Sequence, residues 1–201
     1  MPINNLKTPG PRRRGEKTRA DIIACAQALF YERGYAGTSF SDIVAATDVY
    51  RGNIYHYFKS KDEILQAVID GRLGEYRALL EAWERQSSEP KARLNRFVNM
   101  IAERKNEVIR HGCPIGSLNT ELAKNQRELQ QLSKALFDLF CDWLALQFTA
   151  LGHAKNARPL ALHLMGRAQG ISVIAHVYGD AKLLQREVAA LAAWLDELSA
   201  V

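Results

Sequence analysis

Residues 51 to 61 carry side chains that can recognise nucleic acid, at the spacing of one short helix. Arg51 can donate two hydrogen bonds to a guanine or bind a phosphate, and Asn53 can pair bidentately with an adenine. Gly52, which lies between them, has no side chain to hold the backbone away from DNA. The other candidates are polar-tipped aromatics and lysines, which suit phosphates and sugars: Tyr55, His56, Tyr57, Lys59 and Lys61. The segment therefore predicts a recognition helix that binds duplex DNA.

Two short helices joined by a tight turn are expected to position these side chains. Thr38 and Ser39 offer oxygens to the unpaired N–H groups of a helix that runs from about Phe40 to Ala46. Residues 47 to 49 favour a turn, because threonine and aspartate hydrogen-bond locally and valine is β-branched. The recognition helix then runs from about Arg51 to Phe58. Thr38 and Ser39 are also candidate DNA contacts.

The charge distribution supports a nucleic-acid partner. The net charge is +5, and residues 1 to 61 hold 10 Lys or Arg against 5 Asp or Glu, whereas the remaining residues hold 17 of each. All of the excess positive charge thus lies in the segment that carries the short helices, as expected of a surface that binds a polyanion. The alternatives are a pair of surface helices with ordinary charges, and a helical module that binds another protein without binding DNA.

Two segments, KTRADIIACAQALFYERGYAGTSF and NIYHYFKSKDEIL, resemble the tetracycline-repressor (TetR) family of bacterial transcription regulators over roughly the first third of the chain. The resemblance implies three N-terminal helices that bind DNA and a fourth that connects them to an all-helical domain. It also implies that this second domain dimerises and binds a small molecule, which releases DNA. Family members often carry an arginine on the first helix of the pair, where this chain has Ser41. We keep Ser41 as a candidate DNA contact and expect Arg51 and Asn53 to carry more of the base reading.

The periodicity predicts an all-α chain in three parts. Residues 1 to 15 are rich in Pro, Gly and Arg and predict a flexible basic arm. The resemblance implies that residues 16 to 60 form the helix-turn-helix DNA-binding domain, and that residues 61 to 201 form a helical ligand-binding and dimerisation domain, which a long helix joins to the first. Arg12, Arg13 and Arg14 could enter a neighbouring minor groove, or could form a solvated tail. Outside the helix pair, helices are expected over approximately 17–33, 61–86, 91–111, 118–123, 126–151, 157–177 and 181–200.

The last two helices predict an association surface. Apolar residues of the final helix recur with spacings of 4, 3, 4 and 3, which is the seam of coiled-coil packing: Leu184, Val188, Leu191, Leu195 and Leu198. The helix before it is rich in small residues, which allow close helix approach. An intramolecular core would use the same pattern. The resemblance favours a homodimer built as a four-helix bundle, with two helices from each subunit, that binds a palindromic operator.

A pocket for a small-molecule effector is expected between the helices of the C-terminal domain. Helical phase directs mostly apolar side chains toward it: Phe97, Ile101, Ile115, Phe137, Phe140, Cys141, Leu144 and Met165. A lining with few charges indicates a hydrophobic or aromatic effector. The helix that carries residues 136 to 146 is apolar almost all the way round, which indicates burial on most of its sides.

The cysteines favour neither a disulfide scaffold nor a zinc site, because there are three of them and they are widely separated. Cys113 lies in GCPIGSLNTEL, which looks like a segment of some TetR-type regulators that answer to electrophiles or oxidants. His111 could lower the pKa of its thiol, as a redox or electrophile sensor would need. The alternative, which we expect, is that Cys113 is a small residue filling the Gly-Pro junction.

No enzymatic activity, cofactor or metal is expected. The chain has no G-x-S-x-G, P-loop, G-x-G-x-x-G or HExxH motif, and His111 and Cys113 are too close in a Gly-Pro turn to form a nucleophile-base pair. The chain has no run of about 18 apolar residues, so no transmembrane helix is expected. The basic N-terminus is not followed by an apolar stretch, as a secretory signal requires. We therefore expect a cytoplasmic protein.

Overall fold

The computed structural model describes residues 11 to 47 and 49 to 198, and it confirms an all-α fold. The helices are α1 (Pro11–Arg33), α2 (Phe40–Ala46), α3 (Arg51–Tyr57), α4 (Lys61–Gln86), α5 (Pro90–Glu103), α6 (Lys105–His111), α7 (Pro114–Asn125), α8 (Arg127–Ala150), a short 3-10 helix (Ala154–Asn156), α9 (Ala157–Tyr178) and α10 (Ala181–Glu197). The chain divides into two compact units, the first ending at Val68 within α4. None of the helices in the described ranges is both long and apolar enough to cross a membrane.

The first unit is held together by one apolar residue from each short helix and by α1. Ile22 of α1, Ile43 of α2 and Ile54 of α3 are completely buried. The guanidinium of Arg19 lies 5.0 Å from the centre of the Phe58 ring, directly after α3. Helices of seven residues are not stable alone in water. The conformation of α2 and α3 therefore depends on this shared core.

The first helix begins at Pro11 rather than at about Lys17. Proline is well suited to the first position of a helix, and arginine is a good helix former. Residues 11 to 15 of the expected arm are therefore helical, and residues 1 to 10 lie outside the described part of the chain.

An aromatic cluster forms the centre of the second unit. The ring of Tyr76 on α4 lies 5.0 Å from the ring of Phe140 on α8, and the ring of Phe97 on α5 lies 5.8 Å from Phe140. A buried polar pair joins α7 to α8, because Ser133 Oγ donates to Asn119 Oδ1 at 2.9 Å while Asn119 Nδ2 donates to the Ser133 carbonyl at 3.1 Å. Helices α4, α5, α7 and α8 are thus fixed around Phe140.

The helix expected over residues 91 to 111 is two helices, which corrects the prediction. Arg104 separates α5 from α6, with φ −98° and ψ 19°. The expected interruption after His111 is confirmed by Gly112, whose φ of 76° suits glycine. Pro114 does not prolong that interruption, because proline is tolerated in the first turn of a helix, and α7 begins there.

The apolar seam of α10 belongs to the core of the chain itself. Leu184, Val188, Leu191 and Leu195 are buried, and α10 packs against α5, α6 and α9. Leu198 lies beyond the end of α10. The intramolecular alternative is therefore correct for this seam, and these leucines are not available to a second copy of the chain.

Helix α8 is less completely covered than its composition predicts. Leu132 and Leu146 are exposed on α8, whereas Phe140 and Leu144 are buried. The prediction of burial on most sides is therefore wrong for the side that carries Leu132 and Leu146.

Candidate nucleic-acid interface and internal cavity

A capping box fixes the start of α2. Ser39 Oγ accepts a hydrogen bond from Asp42 N at 3.1 Å, and Ser39 N donates to Asp42 Oδ2 at 2.7 Å. Hydrogen bonds from the side chain and backbone of Ser39 lower the pKa of Asp42 below its ordinary value. This contribution to stability is present at neutral pH and is lost as the pH falls through the lowered pKa. Ser39 is exposed, but its hydroxyl also donates to Asp42 Oδ2 at 2.6 Å and so works within the cap.

Thr38 does not face solvent, contrary to its assignment as a candidate DNA contact. Its side chain is completely buried, and Oγ1 donates to the Gly34 carbonyl at 2.8 Å. Thr38 thus ties down the loop between α1 and α2. The position of Thr38 next to a helix cap predicted an exposed hydroxyl. The loop between α1 and α2 instead turns this hydroxyl toward the protein interior.

Helix α3 presents a polar face to solvent. Ile54 is buried and sets the rotation of the helix, which leaves Gly52, Asn53 and His56 exposed. The side chain of Arg51 lies outside the described part of the structure. Among the other candidates, Ser41, Tyr55 and Lys59 are exposed and Tyr57 is half-buried. Asn53 and His56 are therefore exposed polar side chains of α3 that can meet a groove.

Tyr50, at the N-cap position of α3, is a candidate that the sequence pattern did not single out. Its side chain is 79% exposed, and its ring lies over Gly52, where an added Cβ would be 3.2 Å from Tyr50 Cε1. Tyr55 is 45% exposed, but its ring stacks on Phe40 at 5.0 Å and so also joins α3 to α2. The signal for Tyr50 was an aromatic residue directly before a short polar helix.

The start of α1 lies beside the end of α3. A Cβ added to Gly15 would lie 3.7 Å from Tyr57 Oη. The helical segment that carries Arg12, Arg13 and Arg14 thus begins next to the candidate recognition helix, although the side chains of these arginines lie outside the described part.

The two candidate lysines after α3 have different surroundings. Lys59 is exposed, its amide N donates to Glu63 Oε2 at 2.7 Å, and its Nζ donates to the Tyr55 carbonyl. Lys61 Nζ instead donates to the carbonyls of Tyr35 at 2.8 Å and Thr38 at 2.9 Å, and lies 3.9 Å from the centre of the Tyr35 ring. Lys61 was expected to bind phosphate, but its ammonium group is engaged inside the first unit.

Lys61→Met is expected to lower the free energy of unfolding by about 1–2 kcal/mol, because two hydrogen bonds from a charged donor and a cation–π contact are lost. The matched change Lys59→Met, on an exposed lysine, is expected to change stability by less than about 0.5 kcal/mol. Urea denaturation of both variants measures the difference. Equal midpoints for Lys61→Met and wild type would refute the structural role of Lys61.

The second unit contains a cavity with about 540 Å³ of empty space, counted to its open mouth. Five of the predicted pocket residues line it: Phe97, Ile101, Ile115, Phe140 and Met165. The lining is completed by Tyr76, Met100, Arg104, Val108, Cys113, Pro114, Ala168, Gln169 and Ser172.

Three predicted pocket residues do not line the cavity. Cys141 and Leu144 are buried elsewhere along α8, and Phe137 is half-buried. Burial raises the pKa of the Cys141 thiol. The helical phase of α8 was correct for Phe140, but which neighbouring residues face the cavity depends on how α8 packs against α7 and α9, and sequence periodicity does not determine that.

Cys113 lines the cavity and also caps α7. Its Sγ accepts a hydrogen bond from Gly116 N at 3.5 Å, and the side chain is half-buried. The expected position at the junction before α7 is therefore observed, with the thiol acting as a weak N-cap.

The chain is similar to known regulatory proteins. A family model described as bacterial regulatory proteins, tetR family, matches residues 22 to 68. An uncharacterised HTH-type transcriptional regulator in the lacX 3' region of Lactococcus lactis subsp. lactis is 29% identical over 84% of this chain and 88% of that protein. The HTH-type transcriptional regulator TtgR of Pseudomonas putida is 34% identical, over 49% of this chain and 51% of TtgR. A solved TetR transcriptional regulator from Chloroflexus aurantiacus is 26% identical, with a TM-score of 0.80 over 92% of this chain and 97% of that chain.

Proposed function

Because the chain belongs to the TetR family of DNA-binding transcriptional regulators, we propose that it is a repressor that binds a palindromic operator as a homodimer and is released by a small molecule. The observation that carries the proposal is the face of α3 opposite Ile54, where Gly52, Asn53 and His56 are exposed. An exposed polar face on a short helix held by a buried core suits insertion into the major groove. Proteins of this family are regulators and not enzymes.

In the proposed complex, α3 reads bases and its surroundings bind the backbone. Asn53 pairs with adenine and Arg51 with guanine or phosphate. Tyr50, His56 and Lys59 are exposed on or next to α3 and contact phosphates and sugars. Phosphate contacts of this kind fix the register of the protein on the duplex, and the two base-reading residues supply the specificity.

The proposed homodimer uses the outward face of α9. The described residues include large apolar side chains that are exposed on this helix: Leu162, Val173, Ile174, Val177 and Tyr178. Gly166 and Gly170 lie between them on the same helix, and a Cβ added to either would meet no atom within 4 Å. An apolar stripe with open glycines favours the close approach of a helix from a second copy. Helix α10 packs against α9 and would be the second helix that each subunit contributes.

The proposed effector site is the cavity around Phe140. A ligand can release DNA only if it binds more tightly to the conformation of the dimer that fits the operator poorly. Helix α4 supplies Tyr76 to the cavity lining and Lys61 to the first unit. A movement of α4 is therefore the proposed route from ligand to operator.

A thiol-based switch is the second candidate, because Cys113 lines this cavity. We expect instead that Cys113→Ser binds and releases the operator as wild type does, since a serine Oγ can accept the hydrogen bond from Gly116 N. DNA binding with and without N-ethylmaleimide, in wild type and in the serine variants at positions 25, 113 and 141, tests this. Release of wild type by the reagent, with only the position-113 variant resistant, would establish the switch.

Selection of genomic fragments by the purified protein tests the proposed function. The expected result is one enriched inverted repeat whose half-sites are separated by about one helical turn of DNA, roughly 34–36 Å, or a multiple of it. Recovery of fragments without a common sequence would contradict operator recognition.

A further inference from the structure

We propose that the cavity takes an amphipathic anion, a ligand with an apolar or aromatic body and one acidic group that pairs with Arg104. The inference rests on the proposed function in one respect, because it assumes that the cavity around Phe140 is the effector site.

Arg104 supplies the charge of the cavity. Among the described residues that line the cavity, it is the single one with a formally charged side chain, and none of them is Asp or Glu. The guanidinium makes no ion pair with any residue in the described ranges 11–47 and 49–198. The preceding residue, Glu103, is held by Arg96, whose Nη1 lies 2.6 Å from Glu103 Oε1. An incoming anion is therefore the partner that the cavity wall lacks.

Two other polar side chains of the lining make contacts within the protein. Ser172 Oγ donates to the Ala168 carbonyl at 2.9 Å. Gln169 Nε2 lies 3.6 Å from the sulfur of Met165, and Gln169 Oε1 packs so closely on Gly116 that an added Cβ there would lie 2.2 Å from it. The chemistry favours one strong charge-assisted contact and otherwise apolar packing.

Aromatic and apolar side chains form most of the described cavity wall. The rings of Tyr76 and Phe97 are both inclined to the ring of Phe140, at 61° and 53°. Met100 and Met165 complete this wall, and methionine side chains adapt to irregular shapes. Arg104 is exposed at the break between α5 and α6, so the acidic group is expected at the mouth with the apolar body inside.

Two dyes with the same ring system separate charge recognition from apolar binding. 1-Anilinonaphthalene-8-sulfonate is an anion, and N-phenyl-1-naphthylamine is its neutral counterpart without the sulfonate. In fluorescence titrations, wild type is expected to bind the sulfonate about tenfold more tightly than the neutral dye, because a hydrogen bond to a charged group contributes about this factor at an exposed site. Arg104→Gln is expected to remove that preference without weakening the neutral dye, and Arg104→Lys to keep most of it.

Two controls locate the binding. Arg110→Gln changes an exposed arginine of α6 that does not line the cavity, and it is expected to change neither affinity. Met100→Trp fills the cavity from a half-buried position of its wall, and it is expected to weaken both dyes at least tenfold.

The outcomes separate this inference from the proposed function. Equal affinity of wild type for the two dyes, unchanged in Arg104→Gln, would overturn the preference for an anion while leaving the cavity as an effector site. The absence of saturable binding of either dye, or binding that Met100→Trp does not weaken, would remove the cavity as the effector site and the anion with it.

Discussion

Leu191→Glu is expected to unfold the second unit, whereas Val177→Glu is expected to leave it folded and to split the dimer. Leu191 is completely buried in the chain itself, and an unpaired carboxylate in an apolar core costs about 4 kcal/mol or more. That loss is a large part of the usual stability of a domain. Val177 is 71% exposed in the single chain, so a charge there meets an apolar environment only in the proposed dimer.

Sedimentation and circular dichroism measure both effects on the same samples. Wild type is expected to sediment as a dimer, and Val177→Glu as a monomer with unchanged helical content. Ala92→Glu, an exposed position of α5, is the control and is expected to remain a folded dimer. A stable dimer of Val177→Glu would show that α9 does not form the interface, and a fully folded Leu191→Glu would contradict the packing of α10.

Asn53→Ala and Arg51→Ala are each expected to reduce specific operator affinity by about 1–3 kcal/mol, the usual value of a bidentate base contact. Affinity for a duplex of unrelated sequence is expected to change little for Asn53→Ala. Lys59→Ala is the comparison, because an exposed lysine that binds phosphate contributes to both affinities alike. Fluorescence anisotropy with labelled duplexes at one fixed salt concentration gives all of these values.

A base analogue identifies the contact of Asn53 more directly. An operator with 7-deazaadenine lacks the N7 acceptor that a bidentate asparagine uses. When one particular adenine of each half-site is replaced in this way, wild type is expected to bind the operator more weakly. The same replacement is expected not to weaken the binding of Asn53→Ala any further. An equal loss in both proteins would assign the contact to a different residue.

Local patterns in the sequence predicted the two short helices of the first unit and the residue type that caps the first of them. The capping role of Ser39 and the starts of α2 and α3 follow from residues that lie close together in the chain. The role of Lys61 could not be read in this way, because its ammonium group binds carbonyls that are 23 and 26 residues away in the chain. The same holds for Thr38, whose burial depends on how the loop folds back.

In the second unit, the sequence predicted where the helices lie along the chain better than it predicted which helices pack against one another. A repeat of leucine every three or four residues describes both a dimer seam and an internal core, and the observed packing of α10 against α5 and α9 decides between them. The break at Arg104 has neither proline nor glycine to mark it. Because the sequence did not predict this break, it also did not predict that Arg104 lies on the cavity wall.

The most direct test of sequence-specific DNA recognition through α3 is the affinity of wild type for its selected operator, compared with a scrambled duplex of the same length and composition at several salt concentrations. We predict a preference of about a thousandfold or more for the operator. We also predict that both affinities fall as salt increases, because phosphate contacts release counterions. Equal affinity for the two duplexes, or operator binding that does not respond to salt, would contradict the assignment of this protein as an operator-binding regulator.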